Sequence, residues 1–434
     1  MRALVVGSGA GGASAARELA GRGVEVVVLE AGGPLRPFPR IVRLAEPLRR
    51  AGLLGTARTL RHLFPAMDLA PSRQGVLVAR GLAAGGSTGL SCGNWVRAEH
   101  GLAEIGLDLR LEFEELERLI APRPFPRERW RPTTDRMFAA AQAMGLEPRP
   151  TPKAVDPGCC EGCGLCELGC ARGARWDSRG FLADVRRSGG EIRLGARVTR
   201  VLLEGGRACG VAVEGSSKEV RADAVILAAG GVGTAQILRA SGLPVADRLW
   251  IDVVLTLGGV SRRARQLDEP PMVWYADRER YILSPYFDLL SHMYHGPWRS
   301  VSVRDRVGVM VKLADAANGS VGADGRVEKA LTLHDQAVLT EGISLVQEIM
   351  ERSDVNGPFV EGVVHGGHLG GTVPLSAEDV ASMHPSGLPE RLWVADLSLV
   401  PRSQGLPTML TTAAIALRVA RRAAAELGAK AGPD

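Results

Sequence analysis

The chain has 434 residues, 45% of them apolar, and a formal net charge of +5. That is enough for two or three domains with a sizeable core, and the charge is too mild to call for nucleic acid or an acidic partner. No run of about 18 apolar residues occurs and no secretory leader is legible, so the expectation is a cytoplasmic protein without a transmembrane segment.

Residues 3–30 read as strand, glycine turn, helix, strand. Such a βαβ opening implies a parallel sheet with helices on its faces. The turn is Gly7-Ser8-Gly9-Ala10-Gly11-Gly12, and the second strand runs into Glu30-Ala31-Gly32. Gly7 permits the turn, Gly9 lets the backbone approach a pyrophosphate, and Gly12 lets helix pack on strand. The helix N-terminus faces the phosphates, and Glu30 suits ribose hydroxyls. This motif alone leaves NAD and FAD both open.

Residues 33–75 are proline- and arginine-rich and irregular, a candidate lid or partner surface. A glycine-rich stretch follows, Arg80 to Asn94. Residues 110–152 are charged with helical pieces, expected at the surface. Five of the seven cysteines fall between Cys159 and Cys170, which reads as metal or redox chemistry rather than a disulfide framework. Residues 196–230 look like a β-meander ending in a buried strand. Region 246–355 has short strands, most of the aromatic residues and a long amphipathic helix near 335–352. Its aromatics from Trp274 to Trp298 either line a pocket or, for most of them, fill a core. A buried strand at 391–395 and a helix at 408–427 close the chain.

Four separated segments resemble the glucose–methanol–choline (GMC) oxidoreductase family in order. They are the N-terminal fingerprint with Glu30-Ala31-Gly32; Arg80-Gly81-Leu82-Ala83-Ala84-Gly85-Gly86-Ser87-Thr88 followed by Asn94; Val198 with Gly210-Val211 and Ala228-Ala229-Gly230; and His368-Leu369-Gly370-Gly371-Thr372 with Asp396, Pro401 and Pro407-Thr408. The resemblance implies an α/β (α+β overall) fold, a Rossmann-like FAD-binding domain beside an antiparallel-sheet substrate domain, with a cysteine-rich insertion. The FAD domain would comprise 1–110, 186–245 and 361–434, the substrate domain 246–360, and 111–185 a surface segment carrying the cysteine loop 158–176. Gly7, Gly9, Gly12, Glu30, Ala31, Gly32, Arg80, Gly86, Ser87, Asn94, Val198, Ala229, Gly230, Asp396, Pro407 and Thr408 would hold FAD.

The resemblance also makes His368 the residue that takes a hydroxyl proton while hydride passes to flavin N5, a task that suits a neutral imidazole. His365 is a possible assistant. Leu406 stands where the family has Asn or His, and Gln404 is the candidate to fill that role.

Cys160, Cys163, Cys166 and Cys170 have the C-x2-C-x2-C-x3-C spacing of bacterial ferredoxins, with Cys159 in reserve. The segment also resembles the cluster loop of iron–sulfur-containing FAD-dependent sugar dehydrogenases. A [4Fe–4S] cluster is the favoured occupant and [3Fe–4S] the alternative; a zinc knuckle or a reduced structural cluster are the rivals. These readings combine into a dehydrogenase of an alcohol, sugar or hydrophobic alcohol, passing single electrons to a cytochrome, ferredoxin or quinone-linked partner. An electron-transfer subunit without alcohol chemistry, or an FAD-dependent reductase of an unsaturated lipid, are the alternatives.

Overall fold

The computed structural model describes residues 1–38, 41–53 and 64–429. Parts of the proline-rich 33–75 stretch, namely 39–40 and 54–63, lie outside the described residues, as do 430–434.

A five-stranded parallel sheet forms one half, in the order Leu392–Val394, Ala224–Leu227, Arg2–Val6, Glu25–Glu30, Glu191–Leu194. Its inner strands are nearly continuous apolar runs because both faces are covered. Ala3, Leu4 and Val5 have no exposed surface. The helix Ala10–Gly21 packs against the terminal helix Met409–Glu426 on one side and Arg179–Arg187 on another. Gly12 makes the helix–strand approach possible, since a Cβ there would lie 2.0 Å from the Gly7 carbonyl oxygen. The antiparallel meander Val198–Glu204, Arg207–Val213, Val220–Arg221 sits beside this sheet.

The other half is a large, mainly antiparallel sheet. Its path runs Met67–Pro71, Leu77–Gly81, His365–Gly366, Val254–Val260, Arg306–Leu313, Tyr281–Pro285, Trp274–Asp277, Arg149–Pro150, with Asn356–Glu361 pairing off Val254–Val260. The sheet thus draws strands from 67–81, 149–150 and 365–366 as well as from 246–360. The long helix Leu333–Glu351 covers it, started by a reciprocal Thr332–Asp335 capping box. Segment 111–185 is less superficial than its charge suggests: Phe113, Leu116, Met137, Phe138, Phe181 and Leu182 are all buried. No helix among the described residues is long and apolar enough to cross a membrane.

The short strand His365–Gly366 ties the two halves together at a functional point. It pairs in parallel with Leu77–Gly81 and in antiparallel with Val254, so the large sheet delivers His365 and His368 to the seam between the two halves.

Candidate active site

Two cavities meet at that seam. The first is a cleft of about 480 Å³ along the carboxyl ends of the parallel strands. Gly7, Gly9, Glu30, Ala31, Arg80, Gly86 and Ser87 line it, as do Val198, Ala229, Gly230, Asp396 and Thr408. Gly9 caps the first helix with no side-chain hydrogen bond, which leaves first-turn N–H groups for an anion. Glu30 accepts hydrogen bonds from Ser8 N (3.1 Å), Ser8 Oγ (2.6 Å) and Gly32 N (2.7 Å); burial nonetheless raises its pKa above the usual carboxylate value. At the far end Asp396 accepts from Gly230 N (2.8 Å), Thr234 Oγ1 (2.6 Å) and Ser398 N (2.8 Å), fixing the start of the helix Gly230–Ala240. Gly86, at φ +53°, lies so close to Gly9 that a Cβ would sit 2.8 Å from its Cα. An uncapped helix start, a glycine floor and a buried acid one strand away are what an adenine dinucleotide needs, so the residues present fit FAD.

Four expected cofactor residues stand elsewhere. Gly12 and Gly32 are packing glycines; a Cβ on Gly32 would lie 2.2 Å from the Leu82 backbone. Asn94 and Pro407 line the second cavity rather than the cleft. The buried ammonium of Lys153 donates to Asn94 Oδ1 and to the Cys92 carbonyl, tying down the glycine-rich loop. Cys92 is a packed thiol; burial raises its pKa well above the ordinary value.

The second cavity, about 210 Å³, is walled by Met67, Leu69, Met293, Met310 and Leu290 among other apolar side chains. Arg80, Ser87, Gly367, His368 and Thr408 line both cavities, so His368 stands at their junction. Its ring is one-third exposed, and what it faces is the two cavities. His368 Nδ1 lies 2.9 Å from Asp252 Oδ2. Asp252 is fully buried and adopts a left-handed φ of +50°, which suits a short polar residue and turns the carboxylate inward. The same Oδ2 accepts from Lys312 Nζ at 2.9 Å, while Oδ1 accepts from Ser403 Oγ and the N–H groups of Gln404 and Gly405. Burial opposes ionisation of Asp252, but Lys312 and the His368 ring outweigh it and hold the carboxyl well below the usual range. With Asp252 ionised, His368 carries its proton on Nδ1 and presents the Nε2 lone pair to the cavities. Burial and the Lys312 charge depress the His368 pKa, against the pull of Asp252, so the ring is neutral at neutral pH.

Sequence reasoning missed Asp252 and Lys312. Each is a lone charge in an apolar stretch, Trp250 to Leu255 and Val307 to Leu313, and that signal was readable.

The remaining catalytic candidates fall out differently. Gln404 is fully buried, and its amide donates to the carbonyls of His100 (2.6 Å) and Arg402 (2.9 Å). The Asp252 carboxylate grips the 404–405 backbone and turns that side chain away from the cavity, so Gln404 does not stand in for the missing Asn or His. Leu406 is buried in an apolar cluster with Cys92, Val96 and Val254, while its carbonyl accepts from Lys312 Nζ at 2.5 Å. His365 lines the apolar cavity with Tyr286 and with Glu167 from the cysteine segment, and Asp288 stands 3.6 Å behind it.

The cysteine segment does not assemble the expected cage. Left-handed glycines at 162, 164 and 169 bend the loop repeatedly. Cys159 and Cys163 face solvent, and Cys160, Cys166 and Cys170 are half-buried. Among the described residues no group of three or more His, Cys, Asp or Glu side chains is placed to hold a metal ion. The structure thus gives no support to the iron–sulfur expectation or to the cytochrome, ferredoxin or quinone-linked partner that rested on it.

Comparison with known proteins agrees with this geometry. Residues 111–261 match the family model described as GMC oxidoreductase. An uncharacterized GMC-type oxidoreductase of Mycobacterium tuberculosis is 34% identical over 269 residues, 58% of this chain and 41% of that protein. The chain thus aligns with about two-fifths of that relative's length. An uncharacterized GMC-type oxidoreductase from the thcA 5' region of Rhodococcus erythropolis is 26% identical over 409 residues, covering 80% of this chain and 79% of that one. In fold, the chain is similar to pyridoxine 4-oxidase from Mesorbium loti (TM-score 0.73, 17% identity, 97% and 98% of the two chains). It is also similar to the formate oxidase of Aspergillus oryzae (TM-score 0.70, 15% identity, 98% of each). The dinucleotide cleft, the histidine at its mouth and these matches together make the chain similar to the GMC oxidoreductases, and FAD is the cofactor its cleft fits.

Proposed function

We propose that the chain is an FAD-dependent oxidoreductase that takes hydride from a CH–OH carbon of a small, largely apolar molecule. The observation that carries this reading is the position of His368, shared by the cofactor cleft and the apolar cavity. FAD, when bound, supplies the hydride acceptor. His368 Nε2 accepts the substrate hydroxyl proton as the carbon is oxidised, a role worth roughly 10²–10⁴ in rate. Asp252 fixes the tautomer and stabilises the imidazolium that forms. Lys312 spends two of its three donors on Asp252 and the Leu406 carbonyl; the third serves the substrate oxygen. Lys312 thereby does the work of the side chain that Leu406 lacks. Methionine and leucine walls exclude water and favour an apolar alcohol over a sugar.

Anaerobic mixing of the FAD-loaded protein with a panel of alcohols tests this. Bleaching of the oxidised-flavin band by an apolar alcohol is expected. A fully loaded protein that no alcohol bleaches would point instead to an electron-transfer role or to reduction of an unsaturated lipid.

A further inference from the structure

The apolar cavity carries a second polar set besides the one at His368. Tyr286 Oη donates to Glu167 Oε1 at 2.6 Å, and among the described residues Glu167 Oε2 has no hydrogen-bond donor. His365 is only 6% exposed, and among the described residues its Nε2 has no hydrogen-bond partner, with Asp288 Oδ2 3.6 Å away. Glu167, Tyr286 and His365 all line the cavity, whose wall is largely apolar, with Met293, Leu289, Leu290 and Val42 among its side chains. A carboxyl group in such a place is costly unless something completes its hydrogen bonding. Burial has pushed Glu167 up to about 7, against the opposing effects of Tyr286 and His365. Asp288 is held below its usual range and His365 above it, each by the other against the effect of burial. An ionised Glu167 offers the cavity its Oε2 as a charged acceptor.

We propose that Glu167, held by Tyr286 and standing beside His365, forms a second polar subsite, whose free carboxylate oxygen binds a hydrogen-bond donor on the substrate other than the hydroxyl being oxidised, an ammonium more strongly than a hydroxyl. The proposal rests on the reading of His368 as the point of oxidation. His365 and His368 are three residues apart, so their backbones are separated by at most about 10 Å. The substrate is therefore a compact bifunctional molecule: an apolar body with the reacting carbinol at one end and a donor within that reach. The cysteine segment thus contributes a wall of the substrate cavity, since Glu167 and Leu168 both come from it.

The test compares 6-amino-1-hexanol, 1,6-hexanediol and 1-hexanol on the FAD-loaded protein at pH 8. Binding is read from the perturbation of flavin absorbance, and bleaching is followed separately. The amino alcohol should bind at least about 10-fold more tightly than hexanol, with the diol between them. Glu167→Leu should erase both preferences, so that the three compounds bind alike. Should that variant fail to fold, the isosteric Glu167→Gln should cut the advantage of the amino alcohol about 10-fold. Equal binding of the three compounds, no binding of any, or an equal loss for all three in E167L would overturn the subsite. Preferential binding without bleaching would instead sink the chemistry assigned to His368 and leave the subsite standing.

Discussion

Lys312 and His368 share one carboxylate oxygen, and this makes the charge of Lys312 measurable through the histidine. Each lies 2.9 Å from Asp252 Oδ2. The two nitrogens are therefore at most about 6 Å apart, where two unit charges at an effective dielectric of about 20 repel by about 3 kcal/mol, or about 2 pKa units. His368 is depressed in the native protein by burial and by this cation. Replacing Lys312 by Met removes the cation and leaves Asp252 in place, so the His368 pKa should rise by about 2 units or more. The basic form would then be populated only at higher pH, and the acid limb of any activity profile would move up with it. Lys312→Arg keeps the charge and should leave the titration near its native position. The assay is NMR titration of ring-labelled histidine, with His368→Asn identifying the resonance. It needs no substrate, so it stands apart from any question about the reaction. A His368 pKa that is unchanged in K312M, in a protein that remains folded, would refute the shared-oxygen geometry.

The same geometry gives three further expected outcomes. Gly9→Ala should fold normally yet bind FAD at least 10-fold more weakly, because its Cβ would meet nothing closer than Gly86 Cα at 3.9 Å and would project where a pyrophosphate belongs; apo-protein melting and flavin titration read the two effects, and undiminished FAD binding would contradict the cleft assignment. Leu406→Asn, which restores the family's residue type, should lower stability by about 1–3 kcal/mol by burying an unpaired amide and should not speed flavin reduction, since the side chain points into the Cys92–Val96–Val254 cluster; faster reduction with unchanged melting would show that it reaches the substrate. Iron and acid-labile sulfide in anaerobically purified protein should stay far below the four of each per chain that a [4Fe–4S] cluster needs; stoichiometric iron with a reduced-state EPR signal would show that the cysteine loop closes around metal.

The parts of this molecule that were legible in sequence are those whose function is carried by neighbouring residues. Gly7 to Gly12, with Glu30 on the next strand, forms a local device, and the structure places Gly7, Gly9 and Glu30 on the cleft. His368, placed by resemblance, stands at the junction of the two cavities. What stayed hidden depends on strands that meet only in the folded sheet. Asp252 and Lys312 are 60 positions apart, and only the antiparallel pairing of Val254–Val260 with Arg306–Leu313 brings them together. Their trace in sequence is a charge inside an apolar run, a sign that a buried partner exists but not which one. Gln404 misled because proximity along the chain says nothing about side-chain direction in a loop whose backbone is held by Asp252. The cysteine spacing is limited in a similar way: it shows that the intervals can wrap a cluster, but not whether the backbone turns every thiol toward one point. Here the same loop turns Glu167 and Leu168 into the apolar cavity.

The most direct test of the central claim is the rate of flavin reduction in His368→Asn, measured anaerobically after rapid mixing with an alcohol that reduces the native protein. The variant should keep its full complement of FAD and lose at least about 100-fold in the reduction rate. Reduction at the native rate with FAD fully bound would show that the proton leaves by another route, and would remove His368 from the chemistry.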